Sequence, residues 1–220
     1  MNQLPIMKDG TARYTQAEEY LHVASHLPGI LLGIGMVFCT VQYHSSFIGL
    51  IAGIVFAISL IVLYASSSLY HGMSTAHPHA KRALQVVDHC SIFLLIAGSG
   101  TPFVLCSISR VSIPAAALYN LLLWGCAILG IVLLSISLAR FKRLSIILYL
   151  VMGFSFLAQS AALKTSLGNT GFLLLVAGGA LYCVGLVLYS IKVRWMHAAF
   201  HILCIIASVL HCICISQFVI

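Results

Sequence analysis

The sequence predicts an all-α integral membrane protein: a bundle of seven transmembrane helices in a single domain over residues 1–220. Of its 220 residues, 61% are hydrophobic and only 7% are charged, whereas a soluble domain carries roughly 25% charged residues. The mean hydropathy is +1.10. Seven apolar runs approach or exceed the length of about 20 residues that a helix needs to cross a bilayer. They lie at 24–43, 47–70, 85–109, 114–138, 145–163, 171–191 and 199–219.

The segment before the first apolar run is polar, and we expect residues 1–20 to form a short cytoplasmic lead. The first run is long enough to remain in the membrane as a helix, so a cleaved signal peptide is not predicted. We interpret Glu18 and Glu19 as acidic residues that favour the N-terminus of the first helix. For His22 and His26, one turn apart, hydrogen bonding at the membrane edge is favoured over a second metal-chelating pair.

The basic residues indicate the orientation of the helices. The formal net charge is +7, but most of it falls in alternate connecting segments. Cytoplasmic segments are enriched in lysine and arginine, which predicts a cytoplasmic N-terminus and an external C-terminus. The charge is therefore a topology signal with anionic lipid headgroups as natural contacts, and it does not indicate a nucleic-acid partner. The basic residues on the predicted cytoplasmic side are Lys8, Arg13, Lys81, Arg82, Arg140, Lys142, Arg143, Lys192 and Arg194, and only Arg110 and Lys164 fall on the other side.

Helices 2 and 3 carry polar residues near the cytoplasmic face. Helix 2 ends with Ser67 and His71, four residues apart and so on one helix face. Helix 3 opens with Asp88, the only acidic residue after Glu19. A carboxylate in the membrane is costly without a partner and usually marks a functional site. An ion pair with Arg82 or a neighbour is the structural alternative.

Helices 4, 5 and 6 carry only isolated polar residues, which are typical of hydrogen bonds between helices. Helix 7 begins with His197 and His201, which lie one turn apart on the same helix face and can chelate one metal ion. His211 lies about 15 Å deeper, so we interpret it as a buried hydrogen-bonding residue and not as a third ligand.

The predicted topology brings these residues together. Helix 2 ends, and helices 3 and 7 begin, at the cytoplasmic side, and His26 lies at the same depth. Three histidines and a water are the ligands of an open, catalytic-type zinc site. We therefore predict Zn²⁺ bound by His71, His197 and His201. Asp88 would orient or deprotonate the water, and Ser67 would hydrogen-bond the water or an oxyanion.

Three sequence motifs also resemble the hemolysin III family, within the progestin and adipoQ receptor superfamily. Ser67 and His71 match its S-x-x-x-H motif. Residues 88–103 are similar to its D-H-x-x-I-F-L-L-I-A-G-x-x-T-P-F block, and His197-x-x-x-His201 with His211 resembles its last-helix signature. The resemblance extends from about residue 18 to the end of the chain. Two departures are His22, where relatives often have Asn, and Gly100, where many have Tyr.

The resemblance implies seven helices with the N-terminus inside, a zinc held by three histidines, and Asp88 and Ser67 as partners of the zinc-bound water. The wider superfamily also resembles alkaline ceramidases, which implies hydrolysis of a lipid amide.

Our first functional hypothesis is a zinc-dependent hydrolase of a lipid amide or ester in the cell membrane, with membrane lipids as partners and a fatty-acyl substrate. The alternative is a non-catalytic sensor or homeostasis factor for membrane fluidity or energetics, with structural zinc. Ion or proton transport ranks lower, because polar residues beyond His201 are few. A hemolytic pore has no support, since no charged ring or amphipathic helix is apparent.

Overall fold

The computed structural model describes residues 14–220, and these residues form an all-helical bundle. The helices are α1 (Gln16–Tyr43), α2 (Phe47–Gly72), α3 (Pro78–Pro102), α4 (Ile113–Ile136), α5 (Leu138–Phe154), α6 (Ser160–Ser190) and α7 (Met196–Phe218). A π-helical segment (Phe103–Ser107) and a 3₁₀ turn (Ile108–Arg110) extend α3, and a 3₁₀ segment (Ser155–Gln159) joins α5 to α6.

The helix starts follow local capping chemistry. The Thr15 side chain accepts a hydrogen bond from the backbone N–H of Glu18, and the Glu18 carboxylate accepts one from the backbone N–H of Thr15, which is a capping box. Ser46 caps α2 through the N–H of Gly49. Pro78 occupies the first turn of α3, where a missing N–H costs nothing. For this reason α3 begins seven residues before the predicted span.

Six helical stretches of the described chain are long and apolar enough to cross a membrane. Five of them correspond to α1, α2, α3 with its extension, α4 and α7. The sixth, Leu138–Ser190, contains 53 residues and combines α5 and α6. The gap predicted between 163 and 171 falls inside α6, where Gly168 adopts φ +66° and ψ −177°. Such a φ is readily accessible only to glycine, so the backbone changes direction there.

One cluster of buried apolar side chains includes residues from all the helices, and α1, α2, α3, α6 and α7 pack most closely on their neighbours. The close approach of α1 to α2 depends on a glycine. A Cβ at Gly29 of α1 would overlap the ring of Tyr64 on α2. Many large apolar side chains on α1, α4 and α5 face outward, among them Leu31, Leu121 and Ile147, as expected for surfaces in contact with lipid.

This packing determines where the functional residues lie. α1 packs on both α2 and α7, so the first and last helices of the bundle are neighbours. The beginning of α1, the end of α2 and the beginning of α7 therefore meet at one end of the molecule.

Candidate functional site

The Nε2 atoms of two histidines, His71 and His201, approach Nε2 of a third, His197, where α2 and α7 meet. Nε2 of His71 lies 3.3 Å from Nε2 of His197, and Nε2 of His197 lies 3.0 Å from Nε2 of His201. His71 and His201 are buried, whereas His197 is half-buried. The three residues that the sequence predicted as metal ligands are therefore adjacent in space.

Neighbouring groups define the tautomers of two of these imidazoles. Nδ1 of His71 lies 2.5 Å from a carboxylate oxygen of Glu19, so Nδ1 carries the proton and donates it. The hydroxyl of Ser25 donates to the carbonyl oxygen of His22 at 2.9 Å, so it must accept from Nδ1 of His201 at 3.2 Å. In both rings the lone pair is left on Nε2, the atom that faces His197. Such hydrogen bonds to Nδ1 are typical of metal-binding histidines.

His197 fits the same arrangement. Its Nδ1 is buried and has no hydrogen-bond partner among residues 14–220, and its Nε2 is within 3.3 Å of two other imidazole nitrogens. Neutral imidazole nitrogens so close together repel through their lone pairs unless a proton or a cation lies between them. Imidazole nitrogen is a preferred ligand of zinc. The donor set therefore fits a divalent metal ion.

His22 provides a second possible donor set. His22, His71 and His197 offer ligand atoms that all lie within 4.8 Å of one another. Nδ1 of His22 is 3.3 Å from Nδ1 of His71 and 3.6 Å from the Glu19 carboxylate. His22 is completely buried, so it lies inside the cluster. In this arrangement Nδ1 of His71 faces Glu19, which leaves Nε2 as its better ligand atom.

The two glutamates have separate roles beyond capping. Glu19 contacts His71 and also accepts a hydrogen bond from Nζ of Lys81 at 2.9 Å. Glu18 caps α1 and accepts a hydrogen bond from the backbone N–H of Trp195 at 3.1 Å. Trp195 adopts φ +68° immediately before α7. The expectation that capping is sufficient to explain both residues was therefore incomplete.

Asp88 and Ser67, the predicted catalytic pair, face the same space as the histidines. Ser67 lies close to the Asp88 carboxylate, and both residues line a cavity with His71, His197 and His201. Asp88 Oδ2 also lies 3.7 Å from Nδ1 of His89. The structural alternative for this carboxylate is an ion pair with Arg82 or a neighbour: among the described residues Arg82 does not pair with Asp88 within 4.0 Å, and the neighbour His89 is the partner that does.

The cavity has a volume of about 650 Å³ and lies between α3, α5 and α6, with α2 and α7 behind. On α3 its lining extends from Gln85 to Phe103, a rise of roughly 27 Å. The histidine end carries the polar residues. The remainder is lined mainly by apolar side chains, including Leu95, Leu150 and Leu175.

The remaining predicted polar residues lie close to the cluster or deeper. His26 stacks on His201 with ring centroids 3.7 Å apart and contacts the Tyr64 ring edge-on. His211 donates from Nε2 to the carbonyl of Leu175 at 3.2 Å, as expected for a buried hydrogen-bonding residue. Sequence reasoning did not identify Glu19 as a partner of His71. The available signal was the one-turn spacing of Glu19 and His22 at the membrane depth of the other histidines.

Comparisons with known proteins identify the family. The family model described as "Haemolysin-III related" matches residues 14–212. The Hemolysin-3 homolog of Bacillus subtilis (strain 168) is 35% identical over 193 residues, which cover 86% of this chain and 88% of the relative. Hemolysin-3 of Bacillus cereus is 30% identical over 219 residues, 97% of this chain and 98% of the relative.

A more distant relative is the human Monocyte to macrophage differentiation factor, 27% identical over 167 residues, which cover 71% of this chain and 66% of the relative. A multi-pass membrane location follows from the six apolar helices together with the family match, and the cell membrane is the typical placement for the family. The chain belongs to the haemolysin-III-related family of membrane proteins.

Proposed function

We propose that this protein is a metal-dependent hydrolase of a lipid amide or ester, with zinc held by His71, His197 and His201. The observation that carries the proposal is the adjacency of the Nε2 atoms of the three histidines at the polar end of a largely apolar cavity. A long apolar cavity with polar groups at one end matches an acyl chain attached to a polar, cleavable linkage. When bound, zinc supplies Lewis acidity and activated water at neutral pH.

The residues around the cluster have distinct roles in this proposal. Asp88 accepts the proton of the attacking water, because it is the carboxylate among the described residues that faces the cavity beside the histidines. Ser67 donates its hydroxyl proton to the oxyanion that develops on the substrate carbonyl. Glu19 and Ser25 hold His71 and His201 in the tautomers that expose Nε2. The apolar walls exclude bulk water from the acyl chain.

The decisive experiment is elemental analysis of the detergent-purified protein, prepared without chelator. We expect about one zinc per chain in wild type, loss of it in His71→Ala, His197→Ala and His201→Ala, and retention in His211→Ala, whose ring contacts Leu175 outside the cluster. A metal-free wild type with native helix content would refute the proposed chemistry. If the wild-type protein contains zinc, the next step is a screen of long-chain acyl amides and esters for hydrolysis.

A specific observation also supports the second candidate, a non-catalytic membrane sensor with structural metal. With His22 in the cluster, four histidines are available, and closed sites with four protein ligands are typical of structural zinc. Cobalt substitution separates the two functions. An open site exchanges a water ligand for added azide and changes its visible absorption, whereas a closed four-histidine site does not respond.

The hydrogen bonds of the polar residues deeper in the bundle argue against ion or proton transport. The hydroxyl of Ser208 is within 2.6 Å of the Tyr64 hydroxyl and 2.7 Å of the Tyr182 hydroxyl, and Tyr64 donates to the carbonyl of Cys204. These groups satisfy one another inside the bundle, which gives them a structural role.

We further propose that the chain crosses the membrane seven times, with a cytoplasmic N-terminus and a histidine cluster near the cytoplasmic face. A helical run of 53 residues would extend roughly 80 Å if straight, far more than the 30 Å hydrocarbon core. The left-handed Gly168 supports a return of the chain near that point. A C-terminal alkaline phosphatase fusion should be active and a C-terminal green fluorescent protein fusion dark. The reverse result would refute this orientation.

A further inference from the structure

Two lysines from different helices converge on one tyrosine at the histidine end of the cavity. Nζ of Lys192 lies 4.3 Å from the ring centroid of Tyr189, and Nζ of Lys142 lies 5.5 Å from it. Lys192 is also held in place, because its Nζ donates to the carbonyl oxygen of Tyr189 at 2.7 Å. The Tyr189 ring is 5.6 Å from the ring of His197. All of these residues line the cavity.

Neither lysine of this pair forms a close ion pair with a carboxylate of residues 14–220. No carboxylate oxygen lies within 4.0 Å of either, whereas Lys81 pairs with Glu19. Asp88, which lines the same cavity, acts on Lys142 only at longer range. Burial and the nearby charge of Lys142 lower the pKa of Lys192. Two ammonium groups held together in a half-buried setting repel one another, and a bound anion would relieve this repulsion. This end of the cavity therefore has the positive charge that an anion would neutralise.

The neighbouring arginines show that basic residues at this end of the bundle do not all turn towards the cavity as Lys142 and Lys192 do. Arg140 and Arg143 lie on the same helix as Lys142, but both are exposed and neither lines the cavity. Topology requires only that basic residues lie at this membrane edge. It does not require that two of them turn inward onto the same ring.

We propose that Lys142 and Lys192, together with Tyr189, form a subsite for the phosphate group of an anionic lipid whose acyl chain enters the apolar cavity. Basic pockets between transmembrane helices on the cytoplasmic side are suited to lipid phosphates. His89 adds a further polar group, because its Nε2 lies 3.4 Å from the Tyr189 hydroxyl. The subsite deepens the proposed function, since it rests on the cavity being a lipid site, and it names an anionic lipid as substrate or resident ligand.

The test is calorimetric titration of the detergent-purified full chain with dioctanoyl phosphatidic acid. Dioctanoylglycerol, which has the same chains without the phosphate, and inorganic phosphate serve as comparison ligands. The variant is Lys142→Gln with Lys192→Gln, and the matched control is Arg140→Gln with Arg143→Gln, which removes the same number of charges. We expect phosphatidic acid to bind wild type and the arginine control within twofold of one another, and the lysine variant roughly 25-fold more weakly.

Three outcomes would overturn the subsite. The lysine variant could bind as wild type does, both double variants could weaken equally, or dioctanoylglycerol could bind as tightly as phosphatidic acid. Inorganic phosphate that binds as tightly as the lipid would identify a soluble phosphate as the occupant and overturn the lipid assignment. Unchanged helix content verifies folding, and the single variant Lys142→Gln replaces the double variant if that variant does not fold.

The titration needs neither turnover nor metal and is repeated on chelator-treated protein. Failure of the lipid subsite is therefore distinguishable from failure of the proposed hydrolase.

Discussion

The carboxylate of Glu19 on α1 and Nδ1 of His71 on α2 lie 2.5 Å apart, and the opposite nitrogen of the same ring is 3.3 Å from His197. The carboxylate thus determines which nitrogen of His71 is available to a metal. Outer-shell partners of this kind raise the basicity of the ligand and fix the orientation of its ring. Lys81, on the other oxygen of Glu19, balances the charge of the carboxylate.

We predict that Glu19→Gln weakens zinc binding by about 10- to 100-fold, the usual effect of removing an outer-shell carboxylate. The measurement is a competition titration with a chromophoric zinc chelator. Lys81→Gln is the control, because it removes the second partner of the same carboxylate but leaves the contact with His71. The role assigned to Glu19 is incorrect if both variants keep wild-type affinity.

His22→Asn distinguishes the open site from the closed site. If His71, His197 and His201 are the ligands, this variant retains about one zinc per chain and its affinity falls less than tenfold, since three protein ligands remain. The readout is metal content after dialysis against a weak chelator. Loss of the metal would place His22 among the ligands and favour the structural role.

Asp88→Asn should lower turnover by at least about 100-fold, the lower limit for removal of a general base. Metal content and helix content should not change, because Asp88 is not among the proposed ligands. Ser67→Ala should lower turnover by roughly 10- to 100-fold. The measurement is hydrolysis of a fluorogenic long-chain acyl amide found by the screen, with metal content measured on the same samples. Full activity in Asp88→Asn would exclude it as the base.

Gly29→Ala and Gly35→Ala form a matched pair on α1. A Cβ at residue 29 overlaps the Tyr64 ring, whereas a Cβ at residue 35 meets no atom within 4 Å. Gly29→Ala should therefore destabilise the bundle by about 1–3 kcal/mol. Gly35→Ala should be neutral or slightly stabilising, because alanine is the better helix former. Thermal unfolding in detergent measures both, and equal midpoints would contradict the tight α1–α2 packing.

The meeting of the site residues at one end of the bundle could be predicted from sequence, but their orientation around each helix could not. The ends of apolar runs locate His71, Asp88 and His197 at one level, because each helix rises 1.5 Å per residue. The i, i+4 spacing fixes the relative faces of His197 and His201 alone. Rotation of one helix against another depends on packing, for example of Gly29 on Tyr64, and no local pattern encodes it.

The same limitation explains what sequence reasoning missed. Lys142 and Lys192 were counted only as topology signals, since their turn towards Tyr189 depends on how α5 and α6 pack around the cavity. Glu19 was interpreted as a capping residue because its partner His71 is 52 positions away in sequence. The break between helices 5 and 6 was expected as a loop, and it is instead a single left-handed glycine within a helical run.

The histidine cluster draws its parts from the first and the last helices of the bundle, with Glu19 at one extreme and His201 at the other. During synthesis, α1 and α2 enter the bilayer long before α7 is made, so a ribosome-bound or truncated chain holds an incomplete set of donors. The complete set of donors exists only after α7 has packed against α1. The proposed metal would therefore be held only by a chain whose synthesis and insertion had reached the last helix.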